Sequence, residues 1–201
     1  MTTTTLYFVR HGQTEWNLDE RMKGHLNSDL TAHGIQQTLN LAKGLPNMGL
    51  THCYTSDSPR TQQTTALLTS ELNLPVKTEA GLREISMGLW EGENKTTIQS
   101  RYPESWTHFW HQPHLYQPNG NGETFVELQT RSVQALNEII HQHPGATILI
   151  VSHRITIKVM LAYLLNQPLA ELWKTGDIAP TSLNCVEITA DQAILVSAGK
   201  V

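Results

Sequence analysis

Cysteine is scarce in this chain. Of 201 residues only Cys53 and Cys185 carry thiols, and they stand too far apart for a metal ribbon or a CxxC redox centre. Both are read as small core hydrophobes. Long apolar runs are missing too: none approaches the ~18–20 residues needed to cross a bilayer, and no leader-like segment opens the chain. The expectation is a cytoplasmic protein without membrane contact. A basic surplus is also lacking, since 14 Lys and Arg face 18 Asp and Glu for a formal net charge of -4. That excludes the electrostatic footprint of a nucleic-acid binder. Any anion the protein holds must be met by a few placed cations. There is no internal repeat or low-complexity tract, and the length suits one domain over residues 1–201.

What is present alternates between two periodicities. Leu6 to Arg10 and Ala146 to Ser152 are short, nearly continuous apolar runs of strand length, as expected for central strands covered on both faces. Between them lie helical patterns over Thr31 to Gly44, Pro59 to Leu72, with Ser58 before its leading proline, and Thr124 to His143 ahead of Pro144. Ile155 to Leu165 continues as a helix. Leu183 to Thr189 and Ala193 to Ser197 form a strand pair turning at Ala190-Asp191-Gln192. Alternating strands and helices predict an α/β domain with a largely parallel sheet. The segment from Ser86 to Gly122, rich in Trp, Pro, Gly and His, has weak periodicity and is expected to be a cap-like excursion over one face.

In open α/β sheets, ligands bind beyond the carboxyl ends of the strands. Two apolar runs end in histidine here, as Val9-Arg10-His11-Gly12 and Val151-Ser152-His153-Arg154, and a weaker strand, His52 to Ser56, leads into Asp57-Ser58-Pro59-Arg60. Converged, these ends would assemble two imidazoles, at least two guanidiniums and free helix N-terminal amides. Such a set suits a phosphoryl group. A neutral imidazole can attack phosphorus when its other nitrogen is fixed by a hydrogen bond, and arginines can neutralise the transferring group without a metal. Ordinary packing and surface salt bridges would account for the same residues singly.

The stretch Leu6 to Asn17, LYFVRHGQTEWN, resembles the signature of the histidine phosphatase superfamily, the phosphoglycerate mutase-like proteins. The resemblance continues through Arg21 to Gly34, Tyr54 to Ala66, Leu82 to Gly92 (LREISMGLWEG), Gly122 to Phe125 (GETF) and Val151 to His153. It implies a three-layer α/β/α sandwich of the phosphoglycerate mutase-like kind. It further implies that His11 accepts the phosphoryl group, that Arg10, Arg60 and His153 surround its oxygens, and that Glu84 donates a proton to the leaving oxygen. Asn17 and Lys23 fall where the family has further polar contacts to phosphate or substrate. Physically, an alkoxide is a poor leaving group near neutral pH, and a carboxylic acid shielded from water can keep the proton it must give.

One departure concerns Arg154, which stands where the family commonly has glycine. An ordinary helix start would tolerate it, whereas a positive φ would not. Its side chain is expected to select substrates with a second anionic group. His108, His111 and His114 recur every three residues, but Pro113 interrupts any helix that would align them for a metal, so no metal or other cofactor is expected. Trp90, Trp106, Phe109, Trp110 and Tyr116 could line a pocket or anchor the excursion to the core. Both readings stay open.

The family holds phosphatases and mutases on one catalytic core. The mutases generally carry a longer insertion between the LRE and GE motifs, and here only 38 residues separate Glu84 from Glu123. A water-accessible phosphohistidine, hence a phosphatase acting on a small phosphorylated metabolite, is the first reading and a phosphoglycerate mutase the second. A silent phosphate sensor is the third, disfavoured because His11, Arg10, Arg60, Glu84 and His153 are all retained. The substrate is left open among sugar phosphates, nucleotides, phosphoglycerates and a ribazole phosphate, and a monomer or homodimer is expected.

Overall fold

In the computed structural model, which describes residues 2–190 and 192–200, strand β1 (Thr4–Arg10) lies inside a six-stranded sheet. After β1 come α1 (Glu15–Leu18), α2 (Ala32–Ala42), β2 (His52–Thr55), α3 (Pro59–Thr69) and β3 (Val76–Thr78). The excursion carries α4 (Lys95–Arg101) and α5 (Pro103–His111). Then follow α6 (Phe125–Gln142), β4 (Thr147–Ser152), α7 (Arg154–Leu164), β5 (Leu183–Ile188) and β6 (Ala193–Lys200). The strand order is β3-β2-β4-β1-β5-β6. The first four are mutually parallel, and β5 and β6 complete one side antiparallel.

The apolar runs are continuous because both sheet faces are covered. Leu6 and Phe8 of β1, with Ile148 and Ile150 of β4, pack against Leu136 and Ile139 of α6 and Ile157 and Met160 of α7. The alternate residues Val9, Leu149 and Val151 point the other way, against Leu41 of α2 and Leu68 of α3. This two-residue alternation builds the expected α/β/α sandwich. Burying such side chains contributes roughly 1.5–3 kcal/mol each.

Helix ends follow local chemistry. Thr31 accepts from Gly34 N at the start of α2, and Thr124 forms a capping box with Glu127 at the start of α6. Pro59 and Pro103 occupy the first turns of α3 and α5, where no intrahelical donor is lost. The helix expected to reach Leu72 stops at Thr69, after a run of threonines that compete with the backbone for hydrogen bonds, as Thr65 and Thr69 do here. Strand β3 escaped sequence reading because all three of its residues are exposed, leaving no alternation to see. The predicted turn after β5 includes Asp191, which lies outside the described residues.

The excursion is more regular than its sequence suggests. Helices α4 and α5 are short, so neither displays more than about two turns of periodicity. They are held by an aromatic core of their own: Trp90, Phe109 and Tyr116 are almost fully buried, with Phe125 and Trp173 against them.

Candidate active site

The register of β1 on β4 pairs Arg10 with Ser152, so His11 and His153 follow at adjacent strand ends, with their rings edge to face and centroids 5.4 Å apart. From these ends the chain departs to opposite faces, into α2 and α7. This switch point opens a crevice in the sheet. A cavity of about 320 Å³ lies there, lined by His11, Arg10, Arg60 and Glu84 on its floor side and by Trp16, Trp110, Arg154 and Asp177 among others.

His11 is buried, and its Nδ1 pairs with the carbonyl of Gly12 at 2.8 Å. That bond puts the ring proton on Nδ1. Nε2 therefore carries a lone pair, has no hydrogen-bond partner among the described residues, and opens to the cavity. Burial and the neighbouring Arg60 and Arg10 charges hold the His11 pKa well below the ordinary imidazole value, so the ring stays neutral. Burial and Arg60 depress His153 in the same way. Its Nε2 contacts Ser56 Oγ at 2.9 Å, and its Nδ1 is buried without a partner. His153 stands behind His11 and does not itself line the cavity.

The cations are fixed by carbonyls rather than by carboxylates. Arg10 Nη1 donates to Ile178 O at 2.7 Å. Arg60, in the first turn of α3, donates through Nη1 to Leu26 O at 2.7 Å and through Nη2 to Gly24 O at 2.9 Å. Gly24 can turn its carbonyl this way because its φ is +52°, and a Cβ there would strike Glu91. Burial lowers both guanidiniums to about 10. Lys23, desolvated beside Arg10 and Arg60, falls to about 7. Among the described residues no salt bridge neutralises Arg10, Arg60 or Lys23. Buried unpaired charge is costly, and an incoming dianion relieves that cost.

Glu84 faces these cations across the cavity. Its Oε1 accepts from Ile85 N, Thr156 N and Thr156 Oγ1, and its Oε2 from Ile155 N at 3.2 Å. The carboxylate thus caps the first turn of α7 from a distant loop. Arg131 anchors that loop, donating to Gly81 O, Arg83 O and Glu84 O while its fork meets Glu123. Glu123, the acid of GETF, also accepts from Ser86 N at 2.8 Å. Asn17 lines the cavity with its Oδ1 held by Thr14 N and Thr14 Oγ1, which leaves its amide Nδ2 as the group that can donate.

Arg154 occupies the first position of α7 without a positive φ, so replacing glycine there introduces no backbone strain. Its charge is not free, however. Nε donates to Asp177 Oδ1 at 2.7 Å, so the pair meets a second anion as a near-neutral unit rather than as a bare cation.

Several aromatic expectations are resolved by burial. Trp90, Phe109 and Tyr116 anchor the excursion, and Trp110 lines the cavity. The excursion supplies few of the walls. The loop from Trp16 to Gly24 supplies the largest share, and Arg154, Asp177 and Pro180 stand beside the excursion's Met87, Lys95 and Trp110. Sequence reading missed Trp16, Arg131, Thr156 and Asp177. Arg131 had one faint signal, its position two helical turns beyond Glu123; Asp177 had none. Among the described residues no three His, Cys, Asp or Glu side chains are placed to share a metal ion, His108, His111 and His114 included. No helix there is long and apolar enough to cross a membrane.

Comparison with known proteins agrees with this geometry. Residues 6–200 match the model of the histidine phosphatase superfamily, branch 1. The chain is similar to a probable phosphoglycerate mutase GpmB of Proteus mirabilis, 34% identical over 168 residues that cover 81% of this chain and 75% of the relative. It is also 32% identical to phosphoserine phosphatase 1 of Hydrogenobacter thermophilus over 171 residues, 85% of this chain and 81% of that one. The solved structure of YhfR from Bacillus stearothermophilus superposes with a TM-score of 0.94 at 36% identity, covering 98% of each chain. With the RHG strand end, the second histidine and the match over nearly its whole length, the chain belongs to the histidine phosphatase superfamily, branch 1.

Proposed function

We propose that the protein is a metal-independent phosphatase that hydrolyses small phosphate monoesters through a phosphohistidine on His11. The carrying observation is the neutral His11 with Nε2 bare and open to a cavity whose cations, Arg10, Arg60 and Lys23, lack carboxylate partners. In the first step the Nε2 lone pair forms the N–P bond as the ester P–O bond breaks, and Glu84 gives its proton to the departing alkoxide. Arg10, Arg60, Lys23 and the Asn17 amide hold the equatorial oxygens, where charge develops. His153 backs the nucleophile, its ring edge to face with that of His11 and outside the cavity lining. In the second step water attacks phosphorus, Glu84 takes the water proton, and the N–P bond breaks to release inorganic phosphate and neutral His11.

Phosphate release from a panel of monoesters in the presence of EDTA, with wild type beside His11→Ala, tests the reading. Release that is untouched by EDTA and abolished by the substitution is expected. The GpmB relative keeps phosphoglycerate mutation as the second reading. Conversion of 3-phosphoglycerate to its 2-isomer with a bisphosphate primer, without release from any ester, would overturn hydrolysis in its favour.

A further inference from the structure

The cavity has a second polar feature that the phosphoryl chemistry does not use. Arg154 and Asp177 line the same cavity as His11, and Arg154 directly follows His153 at the start of α7. Asp177 directly precedes Ile178, the residue whose carbonyl holds Arg10. Both charges are close enough to be felt at Arg10, Arg154 lowering and Asp177 raising its pKa. The pair therefore shares one cavity with the phosphoryl site.

Its geometry is rigid on one side and open on the other. The Arg154 guanidinium lies 5.5 Å from the Trp110 ring centre and 5.4 Å from that of Trp173. Trp173 is itself tied by Nε1 to Phe109 O. The rings fix the plane of the fork. Among the described residues only Nε is engaged by protein, so both Nη groups remain as donors. The Asp177 side chain is 58% exposed. The pair is not needed to hold its loop, because Lys158 already does so with bonds to Thr175 O, Thr175 Oγ1 and Gly176 O.

Charge logic then selects the guest. A leaving group with only a carboxylate would meet Arg154 but be repelled by Asp177. One with only an ammonium would meet Asp177 but be repelled by Arg154 and by the cations beneath. A leaving group carrying both charged groups on one carbon satisfies both partners, the carboxylate on the Nη fork and the ammonium on the aspartate. We infer that Arg154 and Asp177 form a receptor for a zwitterionic leaving group, which makes phosphate monoesters of α-amino acids the favoured substrate class. This rests on reading the site as a phosphatase.

The experiment compares four esters: O-phosphoserine with both charges, 3-phosphoglycerate with the carboxylate alone, O-phosphoethanolamine with the ammonium alone, and glycerol phosphate with neither. For the wild type, kcat/KM for O-phosphoserine is expected to exceed each singly charged ester by about tenfold or more. Arg154→Gln and Asp177→Asn should each bring the ratio of O-phosphoserine to glycerol phosphate kcat/KM down by most of that advantage, with thermal melts and circular dichroism verifying that the variants fold. Equal rates on all four esters, or a preference that survives both substitutions, would overturn the receptor and leave the phosphatase standing. If no ester is hydrolysed, calorimetric binding of the same four to His11→Ala decides. Tightest binding of O-phosphoserine upholds the receptor although hydrolysis has failed; binding without that order overturns it.

Discussion

His11 and Gly12 are locked together by a bond between the ring Nδ1 of one and the carbonyl of the next, 2.8 Å apart. Gly12 is held in turn, its N–H donating to Thr64 Oγ1 at 3.1 Å. The tautomer of the proposed nucleophile thus depends on the exact seat of one glycine. A Cβ at position 12 would lie 2.8 Å from Gly34 O and 2.9 Å from Thr38 Oγ1, so β1 or α2 would have to shift. Gly12→Ala should lose roughly 1–3 kcal/mol of stability and a large share of kcat. Urea unfolding and steady-state kinetics check it, and an unperturbed kcat would mean that the carbonyl does not set the tautomer.

Glu84→Gln removes the proton that the leaving oxygen needs and keeps most of the capping of α7. For alkyl esters kcat should fall about 10²- to 10⁴-fold. For p-nitrophenyl phosphate, whose phenolate departs without protonation, the fall should be much smaller. Equal losses on both would remove Glu84 from the role of acid.

Arg131 does not itself line the cavity, yet it grips the carbonyl of Glu84, which does, at 2.8 Å and closes a fork on Glu123. It is a positioning residue. Arg131→Met should lower kcat with little change in KM, and cost about 1–3 kcal/mol by stranding half-buried Glu123. In a Glu84→Gln background its effect on kcat should vanish, as a double-mutant cycle would show. Additive losses would mean that Arg131 acts by some other route.

The two buried histidines set a pH dependence of stability. Their folded pKa values lie well below 6.5, the ordinary value. Below that value each unfolded imidazole takes up a proton that its folded counterpart refuses, so the unfolded state binds more protons and stability is lost as pH falls. The slope is up to about 1.4 kcal/mol per pH unit for each histidine. His11→Asn and His153→Asn should each flatten the stability curve below pH 6.5. Denaturation at a series of acidic pH values measures it, and curves parallel to the wild type would refute the assignment.

Lys23, with a pKa of about 7, loses its charge in the empty site as pH rises through neutrality. An anion of constant charge such as sulfate binds the protonated form, so its affinity should weaken by up to about tenfold per pH unit above that point. Lys23→Met should bind sulfate more weakly and without this dependence. Titration calorimetry distinguishes the two, and an unchanged pH profile in the variant would exclude Lys23 from the anion site.

Much of this was legible beforehand because strand-end residues announce themselves. A histidine after a buried apolar run must emerge where a sheet opens, and Leu6 to Arg10 and Ala146 to Ser152 carry that signal in contiguous residues. Arg60 follows a proline in the first turn of a helix, another local mark. The short helices of the excursion, strand β3 and the membership of the cavity wall were not legible, because they depend on packing partners far away in the chain.

Sequence by itself determined the α/β alternation and the two histidines at their strand ends, since periodicity and caps are local properties of the backbone, while the resemblance to the histidine phosphatase superfamily supplied the expected roles of Arg10, His11, Arg60, Glu84 and His153. Only the tertiary structure decided that Arg10 and Arg60 are steadied by carbonyls and left without carboxylates, that Arg154 comes paired with Asp177, and that Arg131 holds the Glu84 loop. Those relations join residues tens of positions apart or more. A fold creates them by bringing surfaces together, and no local pattern encodes which charge will meet which.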